Sequence, residues 1–331
     1  MKKLITILVP CYNEAANIRR MVEKLSTILR GKYTIRIGEE ETAEVDMDAF
    51  DWELLFVNDG SRDSTLKELE LARRADKRVN YLNLSRNFGK ENAMMAGMDF
   101  AKGDAVVIMD ADLQHPPEVI PEMVYWWLEG YDDVYGVRAT RGRESWLRKH
   151  FSLAFYKLLQ SSTRIEILQN VGDFRLLSRR CVAAIVAMRE SQRYTKGLYS
   201  WVGYNKKGVV FEQAGREAGK SSFNFRGLMN LAVEGITCFT TSPLRISTLI
   251  GLVVSFLSLA YMVYIIVKTI FFGEVVQGFP TIMCAILLLG GLQLLAIGIM
   301  GEYIARIFNE SKRRPPYIVE SKNGDPEQGS F

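Results

Sequence analysis

Two hydrophobic patterns divide the chain. Between residues 4 and 137, short apolar runs alternate with segments whose apolar positions recur every three or four residues. The runs ITILVP, ELLFVND, VNYLNLS and AVVIMDAD are β-branched or leucine-rich and end in polar residues. Between them EAANIRRMVEKLSTIL, DSTLKELELARRA and KENAMMAGMDFA carry helical spacing. Buried strands alternating with amphipathic helices predict an α/β domain built on a mainly parallel sheet. Ligands of such sheets bind beyond the carboxyl ends of the strands. Polar side chains gather there: Tyr12-Asn13-Glu14, Asn58-Asp59-Gly60-Ser61, Ser85-Arg86-Asn87 and Asp110-Ala111-Asp112. The piece from Gly31 to Asp51 is polar, acidic and weakly periodic, and reads as a surface insertion.

The second pattern is continuous. Neither Ile246–Val267 nor Phe279–Met300 contains a charged residue, and each run spans roughly 30 Å as a helix, the thickness of a bilayer's hydrocarbon. Buried helices of a soluble core are the alternative, but such helices are rarely apolar on every face over this length. Arg245 precedes the first run, and Arg306, Lys312, Arg313 and Arg314 follow the second. The positive-inside bias places both outer ends, and so both termini, in the cytoplasm. The expectation is a multi-pass hairpin of two transmembrane helices under a cytoplasmic head. Gly301–Ser311 can continue the second helix as an amphipathic segment until Pro315-Pro316, and the tail from Glu320 reads as a frayed terminus. Phe223–Thr241 and Trp146–Leu159 are amphipathic, with aromatic and basic residues suited either to the bilayer surface or to a core. The expected divisions are 1–222 for the head, including the 31–51 insertion, 223–243 for an interfacial segment, 244–304 for the hairpin, and 305–331 for a basic juxtamembrane segment and tail.

Composition narrows the chemistry. The 331 residues carry 42 basic and 38 acidic side chains, a net charge of +4 too mild to argue for nucleic acid. Four widely spaced cysteines (11, 181, 238 and 284) and two histidines (115 and 150) exclude a disulfide scaffold or a Cys/His metal cluster. No GxGxxG follows the first strand, and the run from Ala214 to Ser221 lacks the first glycine of a P-loop. Asp110-Ala111-Asp112 with Gln114 is the better candidate. On an extended segment Asp110, Asp112 and Gln114 point the same way, and hard oxygen ligands at that spacing suit Mg²⁺ or Mn²⁺ held against a diphosphate. A simple turn is the alternative reading of the same residues.

LVPCYNE, VNDGSRDST, LSRNFGKENAMMAG, MDADLQHPPEVIP, VGDFRLLSRR, KGLYSWVGY, TTSPLRISTLIG and LLGGLQLLAIGIMGEYIARIFNESKRRP occur in this order. Together they resemble the bacterial polyprenyl-phosphate glycosyltransferases of glycosyltransferase family 2, similar to bactoprenol glucosyltransferases and more distantly to dolichyl-phosphate mannose synthase. The resemblance covers nearly the whole chain and implies a GT-A head followed by a two-helix transmembrane hairpin. It implies inverting transfer of one sugar from a nucleoside-diphosphate sugar, UDP-glucose in the first instance, to undecaprenyl phosphate at the cytoplasmic membrane. UDP-GlcNAc and GDP-mannose are alternative donors, and a non-catalytic nucleotide-sugar-binding membrane protein is the alternative from another class. The absence of QxxRW disfavours a processive synthase.

The same resemblance implies roles. Pro10, Tyr12, Glu14 and Asp59 would line the nucleoside, with Asp110 and Ala111 beside the ribose. Asp112 and Gln114, with Asp110, would hold the metal. Asp173 would act as base or orient the acceptor phosphate. Arg138 and Arg175 would grip the acceptor phosphate, and Arg216 and Lys220 the donor, with Arg86 and Lys90 as further phosphate-gripping candidates. The family's G-x-S-K places its lysine where this chain has Ser222, so Lys220 would have to reach from two residues earlier. The hairpin also offers a surface on which copies of the chain can associate.

Overall fold

The computed structural model describes residues 2–38, 41–139, 171–190, 195–212 and 278–326, with scattered positions between 247 and 271. They fall into two units. The first takes in residues 1–160, 164–224 and 314–331, and the second residues 161–163 and 225–313.

The first unit is organised by one nine-stranded sheet. Its strands are β1 (Leu4–Cys11), β4 (Asp51–Asn58), β5 (Val79–Leu84), β6 (Ala105–Ile108), β7 (Asp133–Arg138), β8 (Val171–Ser178), β9 (Lys206–Phe211), β10 (Val319–Lys322) and β11 (Asp325–Pro326), in the spatial order β11-β10-β5-β4-β1-β6-β8-β7-β9. β1, β4, β5 and β6 are parallel, as the unbroken apolar runs predict. β8 runs antiparallel to both β6 and β7. The amino end of β8 therefore shares an edge with the carboxyl ends of β1, β4, β5, β6 and β7. Side chains alternate between two cores: Ile5, Ile7 and Val9 enter one, Leu8, Val106 and Ile108 the other. Helices α1 (Ala15–Ile28), α2 (Thr65–Ala75), α3 (Lys90–Phe100), α4 (Ile120–Leu128), α5 (Arg179–Ala187) and α6 (Thr195–Trp201) belong to the same unit.

Two expectations change. The 31–51 piece forms an antiparallel hairpin of β2 (Lys32–Arg36) and β3 (Thr42–Asp46). Ile35 and Val45 are buried and join the core that contains α4's Met123, so the piece carries its own inward face. The described part of the tail, residues 320–326, is likewise not frayed. β10 pairs antiparallel with β5, Asn323 Oδ1 accepts a hydrogen bond from Tyr81 N at 2.9 Å, and Asn83 Nδ2 donates to Glu320 Oε2 at 2.8 Å. An edge strand held by main-chain and amide bonds needs little apolar patterning, and it covers the open edge of β5.

In the second unit α7 (Phe279–Ser311) is one continuous 33-residue helix. It passes through the second apolar run and the amphipathic extension and ends before Pro315-Pro316. Its Leu288–Ser311 portion is long and apolar enough to cross a membrane, the one such helix among the described residues. Leu288, Leu294 and Ile304 are exposed, as suits a lipid-facing helix better than a soluble one. The described positions from Ser247 to Phe271 are helical. Trp146–Leu159, Phe223–Thr241, Arg216, Lys220 and Ser222 lie outside the described residues.

Candidate active site

The antiparallel register of β6 and β8 builds the site. Ile108 pairs with Arg175, so two residues further along Asp110 leaves β6 opposite Asp173 on β8. Lys90, the first residue of α3, lies between them. Its Nζ is 2.6 Å from Asp110 Oδ1 and 2.8 Å from Asp173 Oδ2. Burial alone would lower the Lys90 pKa, but the charges of Asp173 and Asp110 outweigh it and hold the ammonium above its usual range.

The first two strand ends are tied to each other. Asn13 takes a left-handed backbone, φ 56°, donates from its N to Ser61 Oγ at 2.9 Å, and accepts at Oδ1 from Arg62 N at 2.8 Å. Glu14 N donates to Thr65 Oγ1 at 2.9 Å. Gly60 has φ +62°, and a Cβ there would lie 2.4 Å from the Arg86 carbonyl carbon, so the β4 and β5 turns touch through backbone. This framework leaves Tyr12 41% exposed at the rim, an aromatic residue suited to stacking. Pro10 is buried within β1 opposite Val57. Burial pushes the Glu14 carboxyl above its usual range; an Asn17 hydrogen bond opposes this, and the Asp112, Asp63 and Asp110 charges add to it.

Asp59 is placed differently from the expected nucleoside contact. It is 4% exposed, and its two carboxylate oxygens accept from Phe88 N at 2.7 Å and Gly89 N at 2.9 Å. Its carboxylate fixes the turn that launches α3 and so aims Lys90.

The Asp110–Gln114 segment bends at Leu113, φ 57°. Ala111 is buried, Asp110, Asp112 and Gln114 are half-exposed, and Asp112 Oδ1 accepts from Gln114 N at 3.1 Å. His115, in the loop that follows, is 2% exposed and stacks on Phe174 at 4.9 Å. Burial lowers its pKa against the pull of Asp110 and Asp112, which agrees with a neutral ring whose Nδ1 accepts from Asp110 N at 3.4 Å. Arg138, the last residue of β7, lies beside Gly172 and His115. A Cβ on Gly172 would lie 3.7 Å from Arg138 Nη2 and 4.0 Å from His115 Nε2. Arg138 Nε is buried without a hydrogen-bond partner among the described residues, as is Arg175 Nε.

Arg175 departs from its expected role as a grip on the acceptor phosphate. Its Nη1 contacts both oxygens of Asp133, at 3.1 and 2.9 Å, Nη2 donates to Gly172 O at 3.1 Å, and the guanidinium lies 3.6 Å from the Tyr199 ring centroid. With its side chain 3% exposed, it is a core residue. The sequence showed Lys90 and His115 beside the right strand ends, but nothing in one dimension marks the bridge or the stack they make.

No three His, Cys, Asp or Glu side chains among the described residues form a preformed metal cage. Asp112, Asp110 and Gln114 fit a different arrangement: a hard cation held by one or two carboxylates that completes its shell with water and substrate phosphate oxygens.

Comparisons with known proteins give the family. The family model of glycosyl transferase family 2 matches residues 6–185, and the GtrB C-terminal hairpin matches residues 242–307. An uncharacterised glycosyltransferase of Synechocystis is 42% identical over 95% of this chain and 94% of its own. The bactoprenol glucosyl transferase of Shigella phage SfV is 41% identical, covering 96% of this chain and 98% of its own, and a prophage bactoprenol glucosyl transferase homologue of Escherichia coli K12 matches at the same values. Among solved structures, glucosyl-3-phosphoglycerate synthase of Mycobacterium tuberculosis superposes with TM-score 0.44 and 18% identity over 71% of this chain and 78% of that one. The chain thus belongs to glycosyltransferase family 2: it is a glycosyltransferase with a GT-A catalytic domain and a C-terminal hairpin of the GtrB type.

Proposed function

We propose that the protein transfers a single sugar from a nucleoside-diphosphate sugar to a polyprenyl phosphate at the cytoplasmic face of a membrane. UDP-glucose and undecaprenyl phosphate are the pair suggested by the bactoprenol glucosyl transferase relatives. The observation that carries this reading is the juxtaposition at one sheet edge. The exposed Tyr12 and the Glu14 carboxyl lie at the β1 end, Asp110 and Asp112 at the β6 end, and Asp173 and Arg138 at the β8 and β7 ends. The first group suits a nucleoside, the second a diphosphate, and the last an incoming phosphate.

In the mechanism, Tyr12 stacks on the base and Glu14 accepts from ribose or base donors. Asp112, with Asp110 and Gln114, would hold Mg²⁺ or Mn²⁺, which when bound neutralises charge on the departing diphosphate. A phosphate monoester is largely dianionic near neutral pH, so its oxygen is already nucleophilic. Arg138 donates to that phosphate, and Asp173 orients it from across β8. Attack forms the bond between the anomeric carbon and the phosphate oxygen as the bond to the diphosphate breaks. The electron pair leaves with the nucleoside diphosphate, and in-line displacement inverts the anomeric centre. The hairpin anchors the enzyme where its lipid acceptor lies, with both termini cytoplasmic.

The test uses purified full-length protein in detergent with undecaprenyl phosphate and radiolabelled UDP-glucose, UDP-GlcNAc or GDP-mannose, with and without Mg²⁺ or Mn²⁺. Metal-dependent label in the organic extract from one donor, lost in Asp112→Ala, supports the reading and names the sugar. No labelled lipid from any donor, despite measurable nucleotide binding, contradicts it.

A further inference from the structure

We infer that Lys90 is a positioning residue for the transfer step: by bridging Asp110 and Asp173 it sets the acceptor-side carboxylate against the donor-side one. This rests on the glycosyl-transfer reading and adds to it a residue that holds the two half-sites in register. The contacts are direct, 2.6 Å to Asp110 Oδ1 and 2.8 Å to Asp173 Oδ2. Asp110 and Asp173 leave neighbouring antiparallel strands opposite one another, where two carboxylates without a cation between them would repel and turn apart.

The placement of Lys90 runs against local preference. A cation at the first position of an 11-residue helix opposes the helix dipole, which the adjoining first-turn acid Glu91 favours. Residues that break a local rule concentrate at functional sites, and here the two carboxylates of the bridge hold the cation in place. The turn behind Lys90 is held firmly. Asp59 accepts from Phe88 N and Gly89 N, and Gly89 adopts φ +92° with open space around the site of a Cβ. Glycine is there for its backbone, which sets the direction in which α3 starts. One turn partner further, Glu91 Oε2 accepts from Thr195 N at 3.2 Å and so ties the same helix end to α6. A lysine suits the bridge because its compact ammonium carries three donors on a flexible stem and can bond two carboxylates at once. Its side chain is 44% exposed against 11% for Asp173, so the bridge is anchored at the carboxylate and open to arriving substrate at the ammonium.

A grip on the donor diphosphate is the rival role, and kinetics separates the two. The variants are Lys90→Met, Lys90→Arg, Asp173→Asn and Lys90→Met/Asp173→Asn in the full-length enzyme, with Lys90→Gln replacing Lys90→Met should that variant fail to fold. The readouts are calorimetric UDP binding and the kcat and KM for undecaprenyl phosphate. Misplacing a reacting group by an ångström costs about 100-fold, so Lys90→Met is expected to lower kcat by that order. UDP affinity should stay within about threefold of the parent, since no donor contact is removed. Lys90→Arg should recover to within about tenfold of wild type. In the Asp173→Asn background Lys90→Met should cost less than about threefold, because its partner is already gone. A loss of UDP affinity of about tenfold or more with kcat retained would assign Lys90 to the diphosphate. Losses that multiply in the double variant would sever it from Asp173, and either result overturns the inference while leaving glycosyl transfer intact. Absence of transfer by the wild-type enzyme would overturn the functional reading instead.

Discussion

Two charged clusters share strand β8 and differ in depth. At the site, Lys90 bridges Asp110 and Asp173, with side chains 44%, 29% and 11% exposed. Two residues along the strand, Arg175 pairs with Asp133 at exposures of 3% and 1%. The residue types are nearly the same, and Asp173 and Arg175 alternate onto one face of the strand. Position along the strand sets the role. At the sheet edge the charges can exchange partners with a ligand. Inside, the charges are held by the protein alone: burial raises the Asp133 pKa, the Arg175 charge opposes that rise, and the Tyr199 face and Gly172 carbonyl meet the guanidinium, with its Nε left without a hydrogen-bond partner among the described residues.

That contrast can be broken from either end. The largest effect is expected at the edge: Asp173→Asn should lower kcat by roughly 10²–10⁴-fold, while the thermal midpoint barely moves, as for other partly exposed positions. The inner cluster should answer in the opposite way. Arg175→Met leaves Asp133 buried and unpaired and is expected to cost about 3–5 kcal/mol of stability, with Arg175→Met/Asp133→Leu recovering most of it. Thermal unfolding of the three proteins in detergent checks this; an Arg175→Met protein as stable as wild type but unable to use acceptor would return Arg175 to the site.

Much of this organisation was legible in the sequence. The runs ending at Cys11, Asn58 and Ile108 marked parallel strands because both faces of the sheet are covered, and their polar ends marked the site edge. Sequence proximity misled where depth decides: Arg175 follows Asp173 so closely that the two read as one motif. Asp59 looked like a ligand contact because a carboxylate at a strand end can serve either substrate or backbone, and only the distances to Phe88 N and Gly89 N separate the two. The β10 strand was invisible because its partner, β5, lies more than two hundred residues earlier in the chain.

Smaller effects sharpen the contrast. Tyr12→Ala removes the exposed ring and is expected to weaken nucleotide binding by about 1–3 kcal/mol, roughly 5- to 150-fold in Kd, by the usual worth of an aromatic–base stack. Equilibrium UDP binding measures it, and an unchanged Kd would move the nucleoside away from β1. The surface pair Arg78–Asp76, at 2.7 Å, supplies the weak extreme. The Arg78 hydrogen bond holds the Asp76 pKa below its usual value against the opposing effect of burial. A lowered folded-state pKa stabilises above the unfolded value and is lost as pH falls through the folded one. Asp76→Asn should therefore cost no more than about 1 kcal/mol at pH 7, and the gap to wild type should close below about pH 4. Thermal midpoints across pH 2–7 test the sign.

The most direct test of the site is anomalous diffraction from Mn²⁺ in crystals of the full-length enzyme grown with a nucleoside diphosphate. The expected result is one peak within about 2.5 Å of an Asp112 carboxylate oxygen, at the β6 end and between the nucleotide phosphates and Asp173. A nucleotide bound at the strand ends with its metal away from Asp112, or bound elsewhere on the sheet, would contradict the account.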